Sequence, residues 1–359
     1  MPFDRLAASA AIACGIRYLE KSTGEHIIIK RRTEEIYRQQ TNTDLSPIAK
    51  LHRTGDRSWQ KRGPKIDWTL KEVLKAGDSP AKVKAIFQHT CDNKFANYNK
   101  MYTDGSKTNE GVGMGVHGGS IQESHRLPND CSVFTAEVAA IYLALQRVED
   151  RRTREATVVF SDSASALLAI EAGKSRHSWV QKIDETTQRG AVLCWVPGHC
   201  GILGNEIADN LANQGRSSTL WKQEVPSSDA LRTMKEKIKA SWESQWFQNR
   251  ELALRKVKGT TEKWSDCRNK KEQTVLSRLR VGHTLLTHGH LFAGSQKKIC
   301  DACNTALTVE HILIDCQCYE HLRSTHRWPH TIRDALNNDP DNEQRTVNWL
   351  KEAGLYNKI

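Results

Sequence analysis

Four acidic residues lie where elements of regular structure are expected to begin or end. Asp104 ends a short apolar strand, and Asp162 follows the continuous apolar run Thr157–Phe160. Glu137 lies near the start of a segment with helical apolar spacing, and Asp209 lies on the last helical segment of the same region. Carboxylates beside buried strands are costly unless something compensates their charge.

A bound divalent cation would compensate the negative charge of these four carboxylates. If the first and fourth strands are neighbours, Asp104 and Asp162 emerge side by side, and helices packed on the sheet can bring Glu137 and Asp209 to the same place. Oxygen ligands without cysteine or histidine favour Mg²⁺ or Mn²⁺ over zinc. Two such ions, roughly 4 Å apart, can stabilise the attacking and leaving oxygens of phosphodiester cleavage. His199, in a loop after the next strand, could move a proton at neutral pH.

Each of these residues also has a structural interpretation. Asp162 could cap the helix that follows it, and Glu137 could favour a helix N-terminus. His199 could be an ordinary surface residue of its loop. Glu206, three residues before Asp209, is assigned to support of the helix start. The ordered set, rather than any one member, indicates a catalytic site.

The elements that must position these acids are predicted over residues 99–216. Apolar alternation, glycine turns and helical spacing predict three strands, then helices alternating with two further strands. This order predicts an α/β fold, a mixed five-stranded sheet with helices on both faces.

Four motifs in this order carry a family resemblance. They are Tyr102-Thr103-Asp104-Gly105-Ser106, Ala136-Glu137-Val138-Ala139-Ala140-Ile141, Phe160-Ser161-Asp162-Ser163, and Val196-Pro197-Gly198-His199-Cys200-Gly201-Ile202 running into Gly204-Asn205-Glu206-Ile207-Ala208-Asp209. Together they resemble the ribonuclease H domain of non-LTR (LINE-like) retrotransposon polyproteins, over about 115 residues.

The resemblance implies a ribonuclease H-like fold and hydrolysis of the RNA strand of RNA/DNA hybrids, leaving 5′-phosphate and 3′-hydroxyl ends. It implies that Asp104, Glu137, Asp162 and Asp209 bind two Mg²⁺ or Mn²⁺ ions, that Glu137 also touches a 2′-hydroxyl beside the cut, and that His199 assists turnover. A reverse transcriptase supplied by the same element is the partner that it suggests.

The regions on either side of this domain are basic. Residues 1–100 hold 19 Lys and Arg against 11 Asp and Glu, residues 216–359 hold 24 against 17, and residues 101–215 hold 10 against 14. Because residues 173–190 contain no convincing basic protrusion, we expect the flanks to bind nucleic acid. Three domains are predicted. Residues 1–98 form a basic helical and linker region, which could be a remnant of the end of a reverse transcriptase. Residues 99–216 form the ribonuclease H domain, and residues 217–359 form a basic helical region.

The last of these regions contains a Cys/His segment at 300–318. Cys300, Cys303, His311 and Cys316 have the spacing of a structural zinc site with three sulfur ligands and one nitrogen ligand. Cys318 is the alternative fourth ligand, and a set of buried free thiols is the alternative to zinc binding. This C-terminal segment resembles the end of non-LTR element polyproteins.

The N-terminal apolar stretch Leu6–Ile16 bears on the cellular location. It is too short for a membrane span and lacks the basic n-region of a signal peptide, so we expect an intracellular protein, nuclear or cytoplasmic, with no membrane association. No Asp-Asp pair is present to serve a polymerase, so we expect no DNA synthesis by this chain alone. The competing interpretations are a nucleic-acid-binding module whose nuclease has lapsed, and another nuclease or transposase of the same sheet topology.

Overall fold

The structure is a computed structural model. It describes residues 3–21, 27–51, 63–75, 77–150, 156–173, 175, 177–185, 191–248, 253–261, 264 and 269–359. These residues form two compact units, Met1–Ile238 and Lys239–Ile359. Among them, no helix combines the length and the apolarity that a membrane span requires.

The first unit is built on one mixed sheet. Its strands are β1 (Lys65–Asp67), β2 (Asn99–Lys107), β3 (Val112–Gly118), β4 (Ile121–Leu127), β5 (Thr157–Ser161) and β6 (Ala191–Trp195). Their order across the sheet is β1-β6-β5-β2-β3-β4. Strand β3 is antiparallel to both of its neighbours, β2 and β4, whereas β1, β6, β5 and β2 run parallel. The predicted mixed α/β sheet is confirmed.

The predicted number of five strands is wrong, because β1 adds a sixth at the edge. Residues Lys65–Asp67 pair in parallel with β6, with Ile66 opposite Leu193. The strand has only three residues, and Ile66 is its one large apolar side chain, so no period of two could reveal it. It lies within residues 1–98, for which helices and a linker were predicted.

Helices cover both faces of this sheet, as predicted. The helices of the unit are α1 (Phe3–Lys21), α2 (Ile27–Thr41), α3 (Thr69–Val73), α4 (Pro80–Lys94), α5 (Val133–Asp150), α6 (Ala164–Ala172), α7 (Ser178–Glu185), α8 (Leu203–Gly215) and α9 (Ser227–Gln248), which continues past the unit boundary. Side chains of β5 alternate between two apolar clusters. Val159 belongs to one cluster with residues of α5, α6, α7 and α9, whereas Val158 and Phe160 belong to another with residues of α4.

This alternation means that the sheet is buried on both sides. The cores also extend beyond the predicted 99–216 range. Ile12 of α1 and Met234 of α9 join the first cluster, and Phe87 of α4 joins the second.

The second unit is helical, with its own core. Its helices are α10 (Ala253–Val257), α11 (Lys270–Val281), α12 (Leu285–His288), α13 (His290–Ala293), α14 (Glu320–Thr325), α15 (Ile332–Leu336) and α16 (Pro340–Glu352), together with a π-helical turn at His311–Asp315 and a 3₁₀ turn at Gln317–Tyr319. Trp349, Leu350 and Leu313 lie at the centre of the core. Beside it, Arg280 donates to Glu343 over 2.7 Å, and both side chains are buried.

Candidate active site

Strand register brings Asp104 and Asp162 together. Asp104 is the sixth residue of β2, and the residue before it, Thr103, pairs with Ser161 at the end of the parallel strand β5. Asp162 follows Ser161 directly. The two carboxylates therefore emerge from adjacent positions of neighbouring strands, as the sequence analysis expected.

Helix α5 brings Glu137 to the same place through a close contact with β2. Glu137 is the fifth residue of α5. A Cβ atom added to Gly105 would lie 2.5 Å from the backbone nitrogen of Glu137 and 2.8 Å from the carbonyl carbon of Ala136. Only glycine at position 105 allows the helix to lie this close, one residue away from Asp104.

A carboxylate cluster is formed by Asp104 and Glu137, which are buried, and Asp162, which is half-buried. One oxygen from each of the three lies within 4.8 Å of the others. Burial raises the pKa of Asp104 to about 8, with the charges of Asp162 and Asp209 adding to the effect. Burial and the charge of Asp104 also hold the pKa of Glu137 well above its usual range. Close, desolvated carboxylates ionise with difficulty unless a cation joins them.

One carboxylate oxygen of this cluster has no hydrogen-bond donor among the described residues. Oε2 of Glu137 is buried and accepts no hydrogen bond from the described residues. A buried carboxylate oxygen without a donor is unfavourable, and a divalent cation would satisfy it. The donor set, which consists of carboxylate oxygens alone, fits Mg²⁺ or Mn²⁺.

Asp209 lies at the rim of this cluster rather than inside it. It is the seventh residue of α8 and does not belong to the group of three oxygens within 4.8 Å. The nearby Asp209 carboxylate nevertheless contributes to the raised pKa of Asp104. The structure thus places all four predicted acids at one site, with three of them in closer contact.

His199 is exposed in the loop after β6, beside Asp162. Its backbone has a left-handed conformation, with φ of 53°. Burial is the main influence on the pKa of Asp162 and raises it, while the hydrogen bond from Asn205 and the charge of His199 oppose the rise. The predicted proton-transfer residue therefore has access both to solvent and to the carboxylate cluster.

Two asparagines that the sequence analysis did not select hold the acids in position. Asn205, buried in the first turn of α8, donates to Oδ2 of Asp162 over 3.4 Å. Asn213 donates to Oδ1 of Asp209 over 3.1 Å. The one available signal was position, because Asn205 lies inside a family motif and Asn213 lies one helical turn after Asp209.

The structural alternatives for the acids fare differently. The N-cap position of α6 is Ser163, with no side-chain capping bond, and the Asp162 carboxylate hydrogen-bonds with Asn205 instead. The capping interpretation of Asp162 is therefore wrong. Glu206 lies in the first turn of α8, as its assigned supporting role requires.

The second unit brings together the predicted cysteines and histidine. One atom each from Cys300, Cys303, His311 and Cys316 lies within 4.8 Å of the others. Sγ of Cys300 and Sγ of Cys316 are 3.7 Å apart, close to the roughly 3.8 Å edge of a tetrahedron with zinc–sulfur bonds of about 2.3 Å. Cys318, the alternative fourth ligand, is exposed and lies outside this group.

The polar surroundings of this Cys/His cluster leave donor atoms free for a metal ion. Thr305 Oγ1 lies 3.4 Å from Nδ1 of His311, whereas the buried Nε2 has no hydrogen-bond partner among the described residues. The adjacent His311 side chain and the backbone amides of Cys303 and Ala302 lower the pKa of Cys300 to about 6. A thiolate and a free imidazole nitrogen in one cluster suit zinc.

The fold and the carboxylate cluster define a hydrolase of the ribonuclease H type. Residues 96–217 match the family model described as RNase H, so this part of the chain is an RNase H domain.

Solved structures similar to this chain come from viral, archaeal and environmental sources. One is a foamy viral protease-reverse transcriptase in complex with dsDNA, with 20% identity over 33% of this chain and 94% of that one, and a TM-score of 0.29. LC11-RNase H1 in complex with RNA/DNA hybrid has 18% identity over 33% and 96%, with a TM-score of 0.28. RNase H1 from the halophilic archaeon Halobacterium salinarum NRC-1 has 18% identity over 33% and 96%, with a TM-score of 0.26.

Proposed function

We propose that this chain hydrolyses the RNA strand of RNA/DNA hybrids, with two divalent cations held by Asp104, Glu137, Asp162 and Asp209. The observation that carries the proposal is the carboxylate cluster on an RNase H domain, with one oxygen of Glu137 unsatisfied. When bound, Mg²⁺ or Mn²⁺ would stabilise the attacking and leaving oxygens of the phosphodiester.

Metal binding and proton transfer are assigned to different side chains of the site. Asp104 and Asp162 hold adjacent ligand positions through the register of β2 and β5, and Glu137 completes the cluster from α5. Asp209 contributes a carboxylate from α8 at the rim of the site. His199, which is exposed, takes or returns a proton as water attacks the phosphorus and the phosphorus–O3′ bond breaks, which leaves a 3′-hydroxyl and a 5′-phosphate.

The direct test is cleavage of a labelled RNA/DNA hybrid with Mg²⁺, with Mn²⁺ and with EDTA. Cutting of the RNA strand that requires the metal is the expected result. Cutting that survives EDTA, or equal cutting of double-stranded RNA, would contradict the proposed mechanism. Metal-independent binding of the hybrid without any cutting would favour the alternative, a lapsed binding module.

We further propose that Cys300, Cys303, His311 and Cys316 bind one structural zinc ion. The support is the 3.7 Å distance between Sγ of Cys300 and Sγ of Cys316, together with Nε2 of His311, which has no partner among the described residues. The π-helical turn that carries His311 also packs Leu313 into the core of the second unit, so a bound ion would tie the Cys300–Cys303 segment to that core.

The biological setting remains the one that the motifs suggest. We propose that the chain derives from a non-LTR retrotransposon, that its basic flanks bind nucleic acid, and that a reverse transcriptase of the same element supplies the hybrid. An intracellular location, nuclear or cytoplasmic, is proposed with it. Copurification of the chain with element RNA, lost when the flanking lysines and arginines are neutralised, is the expected observation.

A further inference from the structure

The first turn of α9 contains a buried carboxylate outside the RNase H family match. Asp229 is the third residue of α9, twelve residues beyond the end of the match at 217. It is only 5% exposed. A carboxylate this buried is costly unless donors compensate it.

The donors to Asp229 come from the start of α5. Its Oδ2 accepts a hydrogen bond of 2.8 Å from the backbone nitrogen of Ser132 and one of 2.5 Å from Oγ1 of Thr135. Ser132 directly precedes α5, and Thr135 is the third residue of that helix. The first backbone N–H groups of a helix have no partner within it, and an anion near them is favourable.

A histidine completes this arrangement from the other side. Nε2 of His177 lies 2.9 Å from Oγ1 of Thr135. Burial lowers the pKa of His177 to about 4, so the ring is neutral near pH 7. Because Thr135 donates its one hydroxyl proton to Asp229, the imidazole donates from Nε2 to Thr135. The order of donation is therefore His177 to Thr135 to Asp229.

The start of α5 has little room to move. Glu137 lies two residues after Thr135, and its backbone nitrogen lies against Gly105 at the distance that excludes even a methyl group. A shift of the first turn would therefore displace the Glu137 carboxylate relative to Asp104. Interiors packed this tightly transmit small displacements.

We propose that Asp229 is a positioning residue for Glu137, so that the active site depends on the helix after the RNase H domain. The inference rests on the proposed function for its catalytic readout, but its structural part stands without it. Asp229 itself is not one of the acids whose oxygens form the cluster, which are Asp104, Glu137 and Asp162.

Substitution of Asp229 in the full-length chain tests this role. Asp229→Ala removes both acceptor bonds, whereas the oxygen of Asn in Asp229→Asn can accept from the same two donors. We expect Asp229→Ala to lower kcat about tenfold, the equivalent of one lost buried hydrogen bond, with KM for the hybrid unchanged. We expect a higher Mg²⁺ requirement as well, and recovery of most activity in Asp229→Asn.

The matched control is Glu236→Ala on the same helix. Glu236 is exposed and pairs only with Arg232 in the described contacts, so its removal should leave kcat and the Mg²⁺ requirement unchanged. Unaltered kcat and Mg²⁺ requirement in folded Asp229→Ala would overturn the inference. If Asp229→Ala does not fold, Thr135→Val compared with Thr135→Ser provides the same test, because only the valine removes the bridging hydroxyl.

Amide hydrogen exchange separates this inference from the proposed function. The amides of residues 135–137 should exchange about tenfold faster in Asp229→Ala than in the wild type, while those of β5 stay unchanged. If the wild type cuts no hybrid, the proposed function fails, but faster exchange confined to the start of α5 still supports positioning. Unchanged exchange there would overturn it.

Discussion

The side-chain amide of Asn213 donates a hydrogen bond of 3.1 Å to Oδ1 of Asp209, and its oxygen accepts one of 2.7 Å from Oγ of Ser106. Ser106 lies two residues after Asp104 on β2. The amide therefore connects the acid on α8 to the strand that carries the acid at the centre of the cluster. Partners of this kind fix the orientation of ligands and tune a metal site.

Removal of this amide should weaken the site without unfolding the domain. We expect Asn213→Ala to reduce hybrid cleavage or Mg²⁺ affinity by about 10- to 100-fold, the usual effect of losing such a partner. Steady-state kinetics across a Mg²⁺ titration measures it. Asn210→Ala is the control, because Asn210 lies on the same helix, is exposed and bonds only to the backbone oxygen of Glu206 in the described contacts. Equal activity in the two variants would contradict the role of Asn213.

His199 should affect turnover rather than binding. Its exposed ring beside Asp162 can exchange protons with water, so we expect His199→Ala to lower kcat about 100-fold at neutral pH, with KM nearly unchanged. His89→Ala, a change at an exposed histidine of α4, should have no effect. A rise in KM with unchanged kcat would instead assign His199 to substrate binding.

The carboxylate cluster should make the metal-free protein less stable as the pH rises. The pKa of Asp104 is raised to about 8 from its usual 3.8, so the folded state holds a proton that the unfolded state has lost between these values. The stability that this proton provides is present below about pH 4 and is lost as the pH rises through about 8. Glu137 acts in the same direction.

Thermal unfolding in EDTA measures this effect. We expect the Tm of the wild type to fall relative to that of Asp104→Asn between about pH 5 and 8, and Mn²⁺ to restore it in the wild type alone. Parallel Tm curves for the two proteins in EDTA would contradict the raised pKa.

The zinc proposal predicts one ion per chain. Metal analysis of the purified chain should find one zinc, which is lost in Cys303→Ser and kept in Cys318→Ser, because Cys318 lies outside the cluster. The same loss should lower the thermal stability of the second unit. Zinc retained in Cys303→Ser, or lost equally in both variants, would contradict the assigned ligand set.

Local sequence pattern predicted where most of the candidate acids lie. Asp162 follows a continuous apolar run that is typical of a buried strand, and Asp104 ends a shorter predicted strand. Parallel strands bring such ends together. Glu137 lies on a helix with clear apolar periodicity. Cys300 and Cys303 could be predicted as metal ligands in the same way, because the spacing of two such cysteines is local in the sequence.

The contacts that hold the acids could not be predicted in the same way. Strand β1 has three residues and one large apolar side chain, too few for a periodic signal. Asp229 caps a helix that begins almost 100 residues earlier, and nothing in its own surroundings in the sequence indicates that contact. Asn213 acts through a side-chain bond whose partner Ser106 lies on another element.

The central claim is that the carboxylate cluster cuts the RNA of a hybrid with bound metal. The most direct measurement compares the full-length wild type with Asp104→Asn for cleavage and for binding of one labelled RNA/DNA hybrid in Mg²⁺. We expect cleavage to be abolished in the variant while its Kd for the hybrid stays within about threefold of that of the wild type, because we propose that the basic flanks supply most of the affinity. Cleavage by Asp104→Asn at the wild-type rate would contradict the account.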